Sequence, residues 1–269
     1  MPLTEFQKSV LTVLAANRSE ASHFAGGLVL NAGADSPRFS HDFDIFHEEA
    51  AEVVRSSDRD AASLRRAGFE VTPLSRHGEW EGRAVDFRKA LVRGAGGSVE
   101  VDWAADSAFR FFPIERDDQL GWRLHLFDMA VNKALALSAR TVTRDYVDIV
   151  ELGRHFPLAA MCWAACGKDP GYSPMLLLEM MRRFARINPL ELDQITARGL
   201  DPLALKATWS DMSLEAAEAI TRLADGQPDI PIGVAFVDAA GRPGWLGDDS
   251  NLRAHAPSLR GCWPVVRAV

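Results

Sequence analysis

Residues 38–46 run Arg-Phe-Ser-His-Asp-Phe-Asp-Ile-Phe, and the second half of this stretch alternates acidic and apolar side chains. In an extended strand, Asp42 and Asp44 point to one face while Phe43 points to the other. Two carboxylates held this close repel each other unless a cation lies between them, and their hard oxygens suit Mg²⁺. Alone, such a pair is common and is more often a solvated strand edge. It therefore predicts a metal site only if a further acid joins it.

A second acidic strand supplies a further acid. Residues 99–103 run Val-Glu-Val-Asp-Trp, so Glu100 and Asp102 share one face of the predicted strand and the apolar side chains share the other. Two-metal transfer of a phosphoryl or nucleotidyl group needs a carboxylate cluster of this kind. The pattern predicts a third carboxylate and leaves open which of the two acids provides it.

A glycine pair precedes both acidic strands. Residues 23–25 predict a short strand, and Gly26 and Gly27 predict a tight turn into a helix. Backbone N–H groups without a neighbouring Cβ suit the phosphates of a nucleotide. A glycine pair is also the ordinary composition of a turn, so this signal depends on the acids that follow it.

Together, Phe24-Ala-Gly-Gly27, Arg38-x-Ser-x-Asp-x-Asp44 and Asp102 resemble the AbiEii/AbiGii toxin family of nucleotidyltransferases. The resemblance spans residues 24–152. It implies an enzyme that moves a nucleoside monophosphate from an NTP to an acceptor hydroxyl, with Mg²⁺ or Mn²⁺ as cofactor. An RNA acceptor, in particular a tRNA 3′ end, and a separate antitoxin protein as partner are also implied.

The resemblance assigns roles to the residues of the first half. Asp42, Asp44 and Asp102 would be the catalytic metal ligands, with Asp102 favoured over Glu100 because small residues follow it, as in the family pattern. The residues implied for nucleotide binding are Gly26, Gly27, Arg38 and Ser40. Leu28 departs from the pattern, since many nucleotidyltransferases have serine or threonine directly after the glycine pair. This departure weakens the expectation of a hydroxyl contact to phosphate.

Lys133 lies on a predicted helix over 125–139 with apolar neighbours at helical spacing. Such a lysine either extends its amine to solvent or meets an anionic ligand, and the resemblance favours a triphosphate. The same resemblance makes Asp145 a catalytic residue that orients Lys133 or the acceptor, supported by Asp148 and Arg140. A carboxylate in the first turn of a helix also stabilises the helix dipole, which is the alternative explanation for Asp145.

The predicted fold class is α+β, with a nucleotidyltransferase-like mixed sheet and flanking helices, then a helical C-terminal half with a small terminal β-hairpin. The domains are predicted as 1–118, the nucleotidyltransferase core, and 119–269, a mainly helical domain that contributes Lys133 and Asp145 to the site. Residues 94–97, Gly-Ala-Gly-Gly, predict a hairpin between two strands of the core.

Composition excludes several classes of protein. The 269 residues carry a net charge of −7, which argues against an overall basic nucleic-acid footprint. We expect no membrane span and no secretory signal, and hence a cytoplasmic protein. Cys162, Cys166 and Cys262 show neither a disulfide framework nor a zinc set and are predicted to be small buried side chains. His41 and His47 are predicted to be surface or packing residues.

Two alternatives to the toxin remain open. One is an antibiotic-type nucleotidyltransferase that encloses a small-molecule acceptor in a pocket, and the other is a catalytically degenerate nucleotide-binding module, which Leu28 supports. The arginines of the segment 174–187 could follow an RNA backbone, although a solvated helix face opposite a core face is the preferred explanation. These arginines are Arg182, Arg183 and Arg186.

Overall fold

The computed structural model describes residues 3–33, 35–74, 86–196, 198–245 and 251–265. The chain divides into two compact units, each composed of three separate stretches of the sequence. The first unit comprises Met1–Ala108, Ile114–Leu124 and Ile195–Arg198, and the second comprises Phe109–Pro113, His125–Gln194 and Gly199–Val269. The sequence predicts one boundary, between residues 118 and 119.

Helices and strands alternate in the first unit, and helices dominate the second. In chain order they are α1 (Glu5–Ala15), β1 (Ser22–Ala25), α2 (Gly26–Asn31), β2 (Asp42–His47), α3 (Ala50–Arg66), β3 (Glu70–Pro73), β4 (Phe87–Gly94), β5 (Gly97–Ala105), β6 (Phe109–Arg110), β7 (Glu115–Asp117), β8 (Gly121–Arg123), α4 (Leu126–Ala139), α5 (Thr143–Leu152), α6 (Leu158–Lys168), α7 (Pro174–Phe184), α8 (Pro189–Ile195), α9 (Pro202–Gly226), β9 (Ala235–Val237), β10 (Pro243–Gly244), β11 (Arg253–His255) and β12 (Ser258–Leu259).

The sheet of the first unit has seven strands in the order β3-β4-β5-β2-β1-β8-β7. Strands β2 and β5 are parallel, as are β1 and β8, and the other neighbours are antiparallel. The predicted hairpin is confirmed, because β4 and β5 pair with Gly94 opposite Gly97, which leaves a two-residue turn. The strand order makes the two acidic strands, β2 and β5, direct neighbours near the centre of the sheet.

One face of this sheet forms the core of the first unit. Phe43 and Ile45 of β2 and Val101 of β5 are fully buried, and the same core cluster includes Val10 of α1 and Leu64 of α3. Strict alternation along β2 and β5 places every second side chain on the opposite face. The acidic residues lie on that opposite face, where they are half-buried instead of buried.

Helix α1 begins with a capping box. The Thr4 hydroxyl accepts from the Gln7 amide, and the Gln7 side chain accepts from the Thr4 amide. The Gln7 side chain also donates its Nε2 to the carbonyl of Ser40, at 2.9 Å. Gln7 thus helps to cap the start of α1 and also holds the segment that leads into β2.

The second unit contains α4 to α9 with a three-stranded sheet in the order β10-β9-β11. Trp163 of α6 contacts Phe236 of β9 and Trp245, which joins the small sheet to the helices. The predicted α+β class, helical C-terminal half and terminal hairpin are confirmed. Among the described residues, no helix combines the length and the apolar character that a membrane crossing requires.

Two of the three cysteines are buried as predicted. Cys162 and Cys166 lie inside α6, and burial raises the pKa of both thiols, that of Cys166 to about 11. The prediction for Cys262 is wrong, since its side chain is exposed. Cys262 lies in the irregular segment after β12, so it is not on the packed face of a helix as Cys162 and Cys166 are.

Candidate active site

The acidic residues of β2 and β5 lie side by side. In the parallel register Asp44 is opposite Asp102, and Asp42 is opposite Glu100. Directly paired residues of neighbouring strands project from the same face, so this register gathers four carboxylates on one side of the sheet. Asp102 is the partner of the second residue of the acidic pair.

Gly26 makes room for Asp44. Strand β1 pairs with β2 and Ala25 is opposite Asp44, so the next residue, Gly26, meets the Asp44 side chain. A Cβ added to Gly26 would lie 2.1 Å from Oδ2 of Asp44, and Gly26 has a φ of +65°. Only glycine combines this backbone conformation with that space.

Gly27 leaves room for the Arg38 side chain, as Gly26 does for Asp44. A Cβ at Gly27 would lie 2.6 Å from Nη2 of Arg38 and 3.4 Å from Oγ of Ser40. Arg38 is buried, and its Nη1 donates to the carbonyl of Phe39 at 2.8 Å. The glycine pair therefore shapes the site through packing, and its predicted contact with phosphate stays a prediction.

Ser40 holds the start of the acidic strand. It is fully buried, and its hydroxyl donates to the carbonyl of Asp42 at 3.1 Å. The Ser40 carbonyl in turn accepts from Gln7, as described above. The predicted role of Ser40 in nucleotide binding is untested, and its observed contacts position the backbone at Asp42.

Leu28 has a structural reason for departing from the family pattern. Its side chain is fully buried and belongs to the core cluster of the first unit. A serine or threonine at this position would point into that core. Any contact between this turn and phosphate would therefore come from backbone groups.

Lys89 is part of the acidic face and was not predicted. It is the cross-strand partner of Asp102, and its Nζ lies 2.8 Å from Oε2 of Glu100 and 3.2 Å from Oδ1 of Asp102. Burial alone would lower the pKa of Lys89, but the hydrogen bond to Glu100 and the charge of Asp102 outweigh it and raise that pKa. The hairpin could have revealed it, because pairing of Gly94 with Gly97 also pairs residues 89 and 102.

Asp102 has an electrostatic environment that differs from that of a surface acid. Burial raises its pKa, the charge of Lys89 opposes this, and the charges of Asp42 and Glu100 raise the pKa further. The effect of Asp42 agrees with the register, which places the acids of both strands on one face of the sheet. In the described part of the chain, no three His, Cys, Asp or Glu side chains are close enough to hold a metal ion by themselves.

The second unit contains a buried charge network at the predicted lysine. Nζ of Lys133 lies 2.9 Å from Asp145 and 2.7 Å from Asp148, and Nε of Arg140 lies 2.7 Å from Asp145. The Lys133 side chain is 12% exposed, so its amine is not extended into solvent. Burial raises the pKa of Asp145, but the charges of Lys133 and Arg140 outweigh it and hold that pKa below its ordinary value.

The histidines beside the acidic strand are ordinary surface and packing residues. His41 is exposed. His47 is buried, with its Nε2 3.0 Å from the Ser22 hydroxyl, and burial followed by the charge of Arg18 lowers its pKa to about 4.

Comparison with known proteins identifies the fold. No family model and no curated protein sequence matches the chain. Among solved structures, MenT4, a nucleotidyltransferase toxin of Mycobacterium tuberculosis, matches with a TM-score of 0.55 and 18% identity over 79% of this chain and 82% of that chain. The fold is a nucleotidyltransferase fold. JHP933 of Helicobacter pylori matches with a TM-score of 0.51 and 16% identity over 82% of this chain and 93% of that chain.

At these identities the likeness concerns the nucleotidyltransferase fold alone. It confirms the predicted mixed sheet with flanking helices, and it confirms the resemblance to toxin-type nucleotidyltransferases at the level of the fold. The roles of individual residues depend on the geometry of this chain.

Proposed function

We propose that this protein is a divalent-metal-dependent nucleotidyltransferase whose catalytic carboxylates are Asp42, Asp44 and Asp102. The observation that carries the proposal is the parallel register of β2 and β5, which sets Asp44 directly beside Asp102 on the half-buried face of the sheet. Gly26 supports the proposal, because the Asp44 carboxylate fills the space that a side chain at Gly26 would need. Asp42, Asp44 and Asp102 thus lie on one face of two neighbouring strands, where their oxygens could share a divalent cation.

The reaction is the transfer of a nucleoside monophosphate. A hydroxyl oxygen of the acceptor bonds to the α-phosphorus of an NTP, the bond from that phosphorus to the bridging oxygen breaks, and pyrophosphate leaves while the hydroxyl proton passes to solvent. The residues of this chain bind and orient the reactants, and the main energetic contribution is electrostatic stabilisation of the phosphoryl oxygens.

The donor set fits a magnesium or manganese ion. Mg²⁺ in nucleotide sites takes one or two protein carboxylates and fills its other positions with water and substrate phosphates, so a preformed cage of three protein ligands is not required. Asp42 and Asp44 would hold the ion, with Asp102 as the third carboxylate. When bound, the metal supplies neutralisation of triphosphate charge and activation of the acceptor hydroxyl.

We further propose that Lys133 binds the triphosphate of the NTP and that Asp145 orients this lysine or the acceptor hydroxyl. Lys133 is fixed by two buried aspartates, which limits its side-chain freedom. A lysine ordered in this way loses little entropy on binding a phosphate. Asp148 and Arg140 would act by holding the lysine and Asp145 in place.

RNA, and specifically a tRNA 3′ end, is the acceptor that we propose, in the setting of a toxin paired with an antitoxin protein. The resemblance of the motifs supports the RNA acceptor, and the fold of MenT4, named as a nucleotidyltransferase toxin, supports the toxin setting. Arg182 does not add to it, because its guanidinium already donates to the Ser213 carbonyl at 2.5 Å.

The test is a labelling reaction with purified protein, Mg²⁺, each labelled NTP and bulk tRNA. We expect label on the RNA with the wild type and none with Asp44→Asn. Asp106→Asn is the matched control, since Asp106 is an exposed acid just beyond β5. It should label RNA like the wild type.

The acceptor decides between the alternatives. Turnover only with a small hydroxylated molecule would replace the toxin by an antibiotic-type enzyme. Nucleotide binding without turnover on any acceptor would contradict catalysis and indicate the degenerate module.

A further inference from the structure

An ammonium group lies against the carboxylate proposed as the third metal ligand. Lys89 of β4 is the direct cross-strand partner of Asp102, with its Nζ 3.2 Å from Oδ1, and it also reaches Oε2 of Glu100 at 2.8 Å. The side chains of Lys89 and Asp102 are 29% and 16% exposed. This ion pair is therefore better shielded from solvent than a typical surface pair.

A divalent cation at Asp102 would meet this ammonium. A carboxylate has two oxygens, so geometry alone would allow both cations to contact it. Charge decides the matter, because a monovalent and a divalent cation on the same carboxylate repel each other strongly at such distances. Metal binding at Asp102 must therefore displace Lys89 or bear that repulsion.

We propose that Lys89 is a counter-ion that occupies Asp102 and Glu100 in the metal-free protein and thereby weakens the binding of a free divalent cation. This inference rests on the proposed function, since it takes Asp42, Asp44 and Asp102 as the metal ligands. It gives Lys89 a regulatory role, because metal capture then requires exchange of one cation for another. A lysine that merely joins two strands, or that orients Asp102 for the metal, would behave differently.

The experiment measures Mn²⁺ binding to the full chain without nucleotide, by the loss of the free Mn²⁺ signal in electron paramagnetic resonance. Lys89→Met keeps the length of the side chain and removes the charge, and we expect it to bind Mn²⁺ roughly tenfold more tightly than the wild type. Lys89→Arg keeps the charge and should bind like the wild type. Arg93→Met is the matched control, because Arg93 lies on the same face of β4 but faces Glu70.

A double variant locates the effect. Adding Asp102→Asn to Lys89→Met should abolish the gain in Mn²⁺ affinity, because the carboxylate released by the first change is then missing. If Lys89→Met binds Mn²⁺ as the wild type does, or more weakly, the inference is wrong. Weaker binding would mean that Lys89 orients Asp102. Lys89→Gln provides a second neutral side chain should the methionine variant fail to fold, and the same expectation applies to it.

The two proposals fail in different ways. Tighter Mn²⁺ binding by Lys89→Met without any nucleotide transfer would support the counter-ion and contradict the enzyme. RNA labelling by the wild type with unchanged Mn²⁺ affinity in Lys89→Met would support the enzyme and overturn the counter-ion. Absence of both labelling and Mn²⁺ binding would overturn both.

Discussion

The carboxylate of Asp44 lies so close to Gly26 that a Cβ at Gly26 would stand 2.1 Å from Oδ2. The same Cβ would lie 2.9 Å from Cγ of Asp44, so a rotation of the carboxylate alone would not relieve the contact. Gly26 also has a φ of +65°, which costs other residues about 1–2 kcal/mol. Both the available space and the backbone conformation at position 26 therefore require glycine.

Gly26→Ala should displace the Asp44 carboxylate. We expect a loss of stability of about 1–2 kcal/mol from the backbone and a roughly hundredfold loss of nucleotide transfer from the misplaced ligand. Urea unfolding and the labelling reaction measure the two effects separately. Gly33→Ala is the control, because a Cβ at Gly33 meets nothing within 4 Å and it should leave both quantities unchanged. Full activity in Gly26→Ala would contradict the role of Asp44.

Gln7→Glu separates the helix cap from the anchor of the acidic strand. Glutamate can still accept from the Thr4 amide, as in other capping boxes, but its carboxylate cannot donate to the Ser40 carbonyl. We expect a loss of about 1–3 kcal/mol, because a buried acceptor is left facing another acceptor.

The pH dependence of Gln7→Glu checks this explanation. Its deficit in unfolding free energy relative to the wild type should shrink as the pH falls, since a protonated carboxyl regains a donor. Gln7→Ala removes both contacts and serves as the comparison. A deficit in Gln7→Glu that does not change with pH would mean that the Ser40 contact contributes little.

Much of the first unit was predictable because its local signals agree with its tertiary structure. Alternation identified β2 and β5, and the glycines of residues 94–97 identified the hairpin, whose turn sets the register of every residue pair along β4 and β5. Where the spacing of apolar residues, the turn residues and the burial all agree, the local sequence is sufficient to predict the strands and their pairing.

The elements that were not predicted lack such agreement. Strands β6 and β12 have two residues each and exist because they pair with each other across the chain. The apolar pattern of the sequence predicts a helix only over residues 214–223, whereas α9 has 25 residues, with Asp201 as its cap and Pro202 at its first position. Its long polar faces weaken the apolar pattern that sequence analysis depends on.

The acidic residues of this sheet face were predicted from the sequence, and Lys89 was not. Asp42, Asp44 and Asp102 were selected by alternation and resemblance, and the register then placed the last two side by side. Lys89 lies in β4, opposite Asp102 of β5. A single lysine on a half-exposed strand face does not by itself indicate a functional site, and its link to Asp102 emerges only from the strand register.

Burial of His47 predicts a loss of stability at mildly acidic pH. Its pKa is about 4 in the folded protein and 6.5 ordinarily, so the unfolded chain binds more protons between these values. Stability from this residue is therefore complete above pH 6.5 and falls as the pH drops toward 4. The full loss is about 3 kcal/mol, at 1.36 kcal/mol per pH unit.

His47→Gln tests that assignment. Glutamine can keep a hydrogen bond to Ser22 and does not titrate, so the variant should lose less unfolding free energy than the wild type between pH 7.5 and 4.5. The exposed His41, changed to glutamine, should retain the wild-type dependence on pH. Parallel pH profiles for wild type and His47→Gln would refute the burial argument.

Lys133→Met should destabilise the second unit and weaken nucleotide binding. The change leaves Asp145 and Asp148 buried without the ammonium between them, and breaking a buried ion pair costs about 3–5 kcal/mol. Lys168→Met is a matched control in the same unit, since Lys168 is 11% exposed and lies 2.7 Å from the fully buried Asp128. Its loss should be smaller, because the amides of Phe111 and Phe112 still donate to Asp128.

The comparison separates structure from function. Both variants lose stability, which urea unfolding measures, but only Lys133→Met should lower the affinity for a labelled NTP in equilibrium dialysis under conditions where both are folded. A lysine that only balances two buried aspartates would leave that affinity unchanged. Equal nucleotide affinities in the two folded variants would therefore remove Lys133 from the proposed triphosphate site and leave it as a structural charge.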